Sequence, residues 1–210
     1  MAKTYTCLVT GACGPLGTAL VEHLTDAGHA VHVVDSPAAM NAQDGRAGTR
    51  AGRVKGRASS VLPADISIPG AVDAVVGKVD FLFAAPYSPA PTTPWKDLYG
   101  DHVQGTANLV DSLRRLNGDL RRLVLLSSGG IYGPRDHGGA PTVEDTPAAP
   151  PTNPMRALWF AEHQVQTLCP QAEVPFTIIR AGVPLDLDAS PGLRFLATLA
   201  ASPVVFVPEN

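Results

Sequence analysis

The chain has 210 residues, 45% of them hydrophobic and 17% charged, with a formal net charge of −3. That length suits one main core, and the near-neutral balance gives no whole-chain attraction to nucleic acid or to an anionic membrane. No apolar run approaches the roughly 20 residues that a membrane-spanning helix needs. Cys7, Cys13 and Cys169 lack metal-ligand spacing, so no metal site is expected and a reduced compartment fits best. The sequence enters a strand almost at once, leaving no room for a signal peptide, and a cytoplasmic protein is expected.

The β-branched run from Tyr5 to Thr10 stops at Gly11, and Gly14 and Gly17 follow at three-residue intervals in TGACGPLG. A strand, a glycine turn and a helix N-terminus in that order cradle a pyrophosphate. Gly11, Cys13, Gly14, Pro15, Leu16 and Gly17 are therefore the first candidate cofactor-binding set. Leu16, Leu20, Val21 and Leu24 recur at helical spacing and predict a helix over about 14–27, with Gly28 as its C-cap. A second buried strand over 30–34 ends at Asp35. An acid there accepts hydrogen bonds from the adenosine ribose hydroxyls and repels a 2′-phosphate, which favours NAD over NADP. A turn or capping role before Ser36-Pro37 is the alternative.

Residues 36–60 read as a loop that carries Arg46, Arg50, Arg53, Lys55 and Arg57 against Asp44. Its two readings are contact with a phosphorylated ligand, the one feature in favour of NADP, and a solvated surface. Residues 61–66 predict a short third strand running into the acidic turn at Asp65-Ile66, and 69–77 a short helix. Residues 79–85 predict a buried strand ending in Ala84 and Ala85, small enough for a ligand to approach closely. The proline-rich stretch YSPAPTTP at 87–94 admits no regular element and reads as a lid or a stiff surface loop. Helices are expected over 95–116 and 152–168, the second opened by Asn153-Pro154. Strands are expected over 121–128 and 174–180, and a last helix and strand over 193–201 and 204–207. Strands alternating with helices indicate an α/β fold with a doubly wound parallel sheet.

Taken in order, these motifs resemble the extended short-chain dehydrogenase/reductase family, the NAD-dependent epimerase/dehydratase group. TGACGPLG matches the family's TGxxGxxG. Asp35 matches its NAD-selecting acid, and Asp65-Ile66 its adenine-contacting pair. Phe83-Ala84-Ala85 matches the strand end under the cofactor ribose. Val103 to Leu109 is similar to the N-V-x-G-T-x-N-L helix, Leu125 to Gly133 to the Ser-Ser-x-x-x-Tyr-Gly segment, and Pro151 to Glu162 to P-x-x-P-Y-x-x-x-K-x-x-x-E. The resemblance implies a Rossmann-type dinucleotide-binding domain over 1–181 and bound NAD. It also implies a homodimer formed through the helices at 95–116 and 152–168. Residues 182–210 then stand as a much reduced substrate region.

The resemblance also identifies departures. Met155 occupies the position of the family's proton-exchanging Tyr, and Trp159 that of the Lys that lowers its pKa. Neither replacement exchanges a proton or carries a charge. Ser128 aligns with the family's catalytic Ser/Thr, and His102 stands where its helix has Asn. Candidate acid–base groups are therefore Ser128, Tyr132 and His102, with Asp136, His137 and Glu144 from the following loop. Each also has a structural reading: Ser128 as a cap, Tyr132 as a structural Tyr, His102 as a backbone hydrogen-bonder, His137 as a solvated loop residue. Three functions are open: an enzyme catalysing a non-redox step (elimination, isomerisation or cyclisation) on a small, partly apolar substrate; an inert NAD-binding regulatory or scaffold protein; and an oxidoreductase using Tyr132 as proton donor.

Overall fold

The computed structural model describes residues 3–42, 49–87, 92–134 and 142–182. Asp44, Arg46, residues 88–91 of the loop expected at 87–94, Asp136, His137 and the final helix and strand lie outside them.

Six parallel strands form one sheet: β1 (Thr6–Thr10), β2 (Ala30–Asp35), β3 (Ser60–Pro63), β4 (Phe81–Ala84), β5 (Arg122–Ser128) and β6 (Phe176–Ala181), in the order β3-β2-β1-β4-β5-β6. The chain winds outward from β1 to β3, returns across the sheet, and winds outward again from β4 to β6. This is the doubly wound Rossmann arrangement, and its strand order reverses between β1 and β4, where such folds open a crevice at the strands' carboxyl ends.

The two-residue period of a strand splits the core in two. Cys7 and Val9 of β1 pack on one face with Val21 and Leu24 of α1 (Pro15–Asp26) and with Val31 and Val33. Leu8 faces the other way. It aligns across the sheet with Leu82 and, through Leu82, with Leu123. That row packs under Leu109 and Leu113 of α6 (Gly105–Leu116) and Val165 of α7 (Asn153–Gln171). α7 starts where its sequence predicts: Thr152 caps it, the Oγ1 accepting from the Met155 N–H at 3.4 Å, with Pro154 in the first turn.

The expected loop over 36–60 is a correction. It contains two helices, α2 (Pro37–Asn41) and α3 (Arg50–Arg57). Each is opened by a hydroxyl cap: Ser36 Oγ accepts from the Ala39 N–H and Thr49 Oγ1 from the Gly52 N–H. Met40, Ala51 and Val54 are buried in the core on the α1 side. The basic run is also largely committed to the fold. Arg53 pairs with Glu22 at 3.2 Å, Arg57 pairs with Asp26, and Lys55 Nζ donates to the Met40 carbonyl at 2.7 Å. β3 is the short strand expected before the acidic turn and ends at Pro63, which lacks an N–H for the ladder. The 69–77 helix contracts to α4 (Asp73–Val76).

The helix expected over 95–116 is three segments: α5 (Trp95–Leu98), a π-helical stretch (Tyr99–Gln104) and α6. The wider π turn changes the phase of the side chains that follow it. Trp95 before it and Tyr99 at its first residue stand at the surface; His102 within it and Thr106 after it are buried.

Candidate functional site: a cavity at the strand-order reversal

Gly11 leaves β1 with φ +68°, and a Cβ there would lie 2.1 Å from the Ala85 carbonyl oxygen. Only glycine lets the turn pass so close to the end of β4. Gly17 is constrained in the same way, a Cβ falling 2.1 Å from the Gly11 carbonyl oxygen, so α1 sits directly against the turn. Thr18 Oγ1 donates to the Ala12 carbonyl at 3.0 Å and fixes that contact. The turn is tied to β2 by Asp35: Oδ2 accepts the Cys13 N–H and Oδ1 the Ser36 N–H, both at 2.8 Å. Burial raises the Asp35 pKa, and those two donors oppose the rise.

These elements border a cavity of about 420 Å³. Of the cofactor residues expected from sequence, Gly11, Cys13, Gly14, Asp35, Asp65, Ile66 and Ala84 line it; Pro15, Leu16, Gly17 and Ala85 do not. Ala85 is instead buried beneath Gly11, and Leu16 is partly exposed on α1. The Asp65-Ile66 turn is held from α6, where Asn108 Nδ2 donates to the Ile66 and Ser67 carbonyls at 2.9 and 2.8 Å. Gly105 gives Ile66 its space, since a Cβ there would meet Ile66 Cγ1 at 2.7 Å.

Arg50, Tyr87, Asp101 and Thr106 also line the cavity; sequence reasoning missed Asp101 and Thr106 and left Arg50 and Tyr87 open between a ligand-facing and a surface role. Arg50 was one cation among five in a stretch read as loop, and Tyr87 merely headed a proline-rich segment. Asp101 is raised by burial and by repulsion from Asp65, Asp97 and Asp35.

His102 lines the cavity as well. It is 2% exposed, and its Nδ1 has no hydrogen-bond partner among the described residues. It therefore does not take up the backbone hydrogen bond open to it as a substitute for Asn. Burial pushes its pKa down to about 4, so the ring is neutral at neutral pH. Cys13 Sγ lies 3.6 Å from Met40 Sδ, and burial, then the Asp35 charge, pushes the thiol up to about 12. It is no nucleophile at neutral pH.

The other acid–base candidates lie apart from this cavity. Ser128 Oγ accepts the Gly130 N–H at 3.0 Å, capping the 3₁₀ turn Gly129–Tyr132 that follows β5. Tyr132 Oη accepts from Arg180 Nη1 at 2.6 Å, and the guanidinium carbon lies 5.1 Å from the centroid of its ring. Arg180 is held in turn by Glu162, 1% exposed, at 2.8 Å, and it donates to the Glu144 carbonyl at 2.8 Å. Glu144 meets this network through its backbone, not its carboxylate. Met155 packs against Gly130, where a Cβ would be 2.8 Å from its Sδ. The Trp159 ring meets Phe160 at a tilt and His163 edge-on, at ring-centroid distances of 5.2 and 4.8 Å. The two side chains thus have separate packing partners.

The fold and its crevice define a Rossmann-type α/β protein. The chain belongs to the NAD-dependent epimerase/dehydratase family, whose model matches residues 7–184. No curated protein sequence matches it. Among solved structures it is similar to a UDP-galactose 4-epimerase at 25% identity and TM-score 0.72, over 95% of this chain and 64% of that one. It is similar in fold to UDP-glucuronic acid 4-epimerase from Bacillus cereus in complex with NAD, at 18% identity and TM-score 0.68, over 84% of this chain and 56% of that one. A further fold match is UDP-glucose-4-epimerase from Stenotrophomonas maltophila with bound NAD and formylated UDP-arabinopyranose, at 23% identity and TM-score 0.68, over 84% and 52%. The chain thus spans less than two thirds of the length of each of these proteins. Among the described residues no helix is long and apolar enough to cross a membrane, and no cluster of His, Cys, Asp or Glu could hold a metal ion.

The buried neutral His102 makes a pH prediction. Its pKa is about 4 folded against an ordinary 6.5, so the unfolded chain binds the extra proton between those values and stability falls as pH drops through that window. Over the window wild type should lose up to about 3 kcal/mol more than His102→Asn. Urea denaturation of both proteins at a series of pH values measures the difference. Parallel stability curves would refute the assignment.

Proposed function

We propose that the protein binds NAD, in preference to NADP, in the cavity at the strand-order reversal. In this reading it acts on a small, partly apolar ligand without the proton exchange of its family's Tyr–Lys pair. The cavity carries the reading: the glycine turn and the Asp35 carboxylate bonded to it both line it. Asp35 keeps acceptor capacity for ribose hydroxyls and its charge opposes a 2′-phosphate. Solved structures of similar fold contain NAD, one of them with a UDP-sugar derivative. Met155 and Trp159 supply neither proton nor charge, which leaves steps governed by positioning, such as elimination, isomerisation or cyclisation. The same reading assigns nucleotide binding to residues 1–181. An NAD-binding regulatory or scaffold protein is the outcome if no ligand is turned over.

Calorimetric titration should give NAD binding at least about tenfold tighter than NADP, and Asp35→Ala should narrow that gap. Absence of heat with both cofactors would refute the reading.

One observation favours a second reading, oxidoreduction with Tyr132 as proton donor. The 2.6 Å bond from Arg180 gives this phenol a fixed cationic partner, the feature that the family obtains from lysine. NADH absorbance followed with a panel of carbonyl compounds would then fall, and Tyr132→Phe would slow the loss by about a hundredfold or more. A flat absorbance across the panel removes this reading.

We further infer that the protein pairs with a second copy through the face that carries Trp95, Tyr99 and Phe160. These rings cluster at centroid distances of 6.1 and 6.0 Å, and all three are exposed. Light scattering should give about twice the 21.9 kDa chain mass, and Trp95→Glu with Phe160→Glu should return it to one chain. A wild-type monomer would overturn the inference.

A further inference from the structure

In the nucleotide reading the glycine turn and Asp35 serve the phosphates and the adenosine ribose, so the base must meet other parts of the cavity lining. Much of that lining is small and apolar, with Ala38, Ala39, Ala42, Ala51 and Ile66, which suits the faces of a flat ring. One base is told from another by its polar edge. Asp65, Asp101 and His102 are polar groups of the same lining.

All three have bonding capacity to spare. Asp65 Oδ1 accepts the Ser67 N–H at 2.9 Å, and its Oδ2 has no partner among the described residues. Neither carboxylate oxygen of Asp101 has one among them either. His102, the next residue, is 2% exposed and its Nδ1 is unpartnered. A buried polar atom left without a partner is costly, and it marks this wall of the cavity as one that a ligand completes.

The fold brings Asp101 to Asp65. The π-helical stretch places two consecutive residues on one cavity: His102 is buried and Asp101 open to solvent, yet both line it. Thr106 Oγ1 donates to the His102 carbonyl at 2.5 Å and pins that stretch to the start of α6. Gly105 and Asn108 follow on the same continuous rod. Gly105 gives Ile66 its space, and Asn108 holds the Ile66 and Ser67 carbonyls. Burial and then the charge of Asp65, ahead of Asp97 and Asp35, push the Asp101 carboxyl up from its ordinary pKa, so Asp65 is the acid that Asp101 feels most.

Resting on the nucleotide reading above, we propose that Asp101 is a base-selecting residue of this cavity: it and Asp65 each accept one hydrogen from the exocyclic amine of adenine. An amine carries two N–H donors on one atom, and two neighbouring carboxylates with free oxygens match them. A 6-oxo purine would instead set a carbonyl oxygen against two carboxylates and leave all three without a donor. The carboxamide of nicotinamide is the other source of such an amine. Asp35, which the reading assigns to the adenosine ribose, is among the charges felt by Asp101, and this favours adenine.

The experiment is calorimetric titration of wild type, Asp101→Ala and Asp101→Asn with ADP, inosine diphosphate and NAD, after thermal melts establish that each variant is folded. Wild type should bind ADP about tenfold or more tighter than inosine diphosphate. Asp101→Ala should narrow that preference by about threefold or more, with NAD affinity falling as ADP affinity falls. Asp101→Asn, whose amide oxygen still accepts, should keep the preference within about twofold. Equal affinity of wild type for the two diphosphates, or an unchanged preference in Asp101→Ala, would overturn the proposal. So would tighter binding of all three ligands by Asp101→Ala, since Asp101 would then act only by repulsion. A loss confined to NAD would move the contact to the carboxamide and overturn the adenine assignment. Wild type binding none of the three ligands would refute the nucleotide reading and this proposal with it. Wild type that binds NAD but does not distinguish the two diphosphates refutes this proposal alone.

Discussion

The two hydrogen bonds accepted by Asp35 hold the cavity together. A carboxylate drawn into the protein interior must keep donors around it, and here both are backbone groups: the Cys13 N–H across the strand boundary and the Ser36 N–H of its own turn. The first fixes the glycine turn relative to β2, and the second starts α2, whose cap is the same Ser36. One side chain therefore ties two cavity-lining segments together. The steric fit of Gly11 against Ala85 and of Gly17 against Gly11 fixes the turn against β4 and α1. None of these contacts tolerates an added methyl group without backbone movement.

Met155 and Trp159 are both taken into the packing of α7. Met155 closes on Gly130, and the Trp159 ring meets Phe160 at a tilt and His163 edge-on. The same helix carries Glu162, which anchors Arg180 and, through it, Tyr132.

Much of the sheet was legible in the sequence because strands buried on both faces have few other ways to be written. The run through Cys7, Leu8 and Val9 and the glycines after it determine β1, the turn and the start of α1 almost alone, and Asp35 and Asp65-Ile66 fall where the motif spacing put them. The helices α2 and α3 were not legible. They are short, five and eight residues, too short to be stable by propensity alone, and α3 carries two glycines. They form because Ser36 and Thr49 cap them and because Met40, Ala51 and Val54 are buried against α1, which is tertiary information. The unpaired Nδ1 of His102 was invisible for the same reason. The family's Asn at that position suggested a hydrogen bond, and the phase change at the π turn decided otherwise.

That π turn gives one rod two unrelated duties. Trp95, ahead of it, and Tyr99, its first residue, form the outward aromatic face with Phe160, whereas His102 and Thr106, within and just after it, wall the cavity. An uninterrupted α-helix of the same sequence would rotate one set out of place to keep the other. The local widening is thus a gear between surface and interior: it lets a single continuous backbone present rings to the outside and a buried imidazole to the inside, and it makes the two faces mechanically one part.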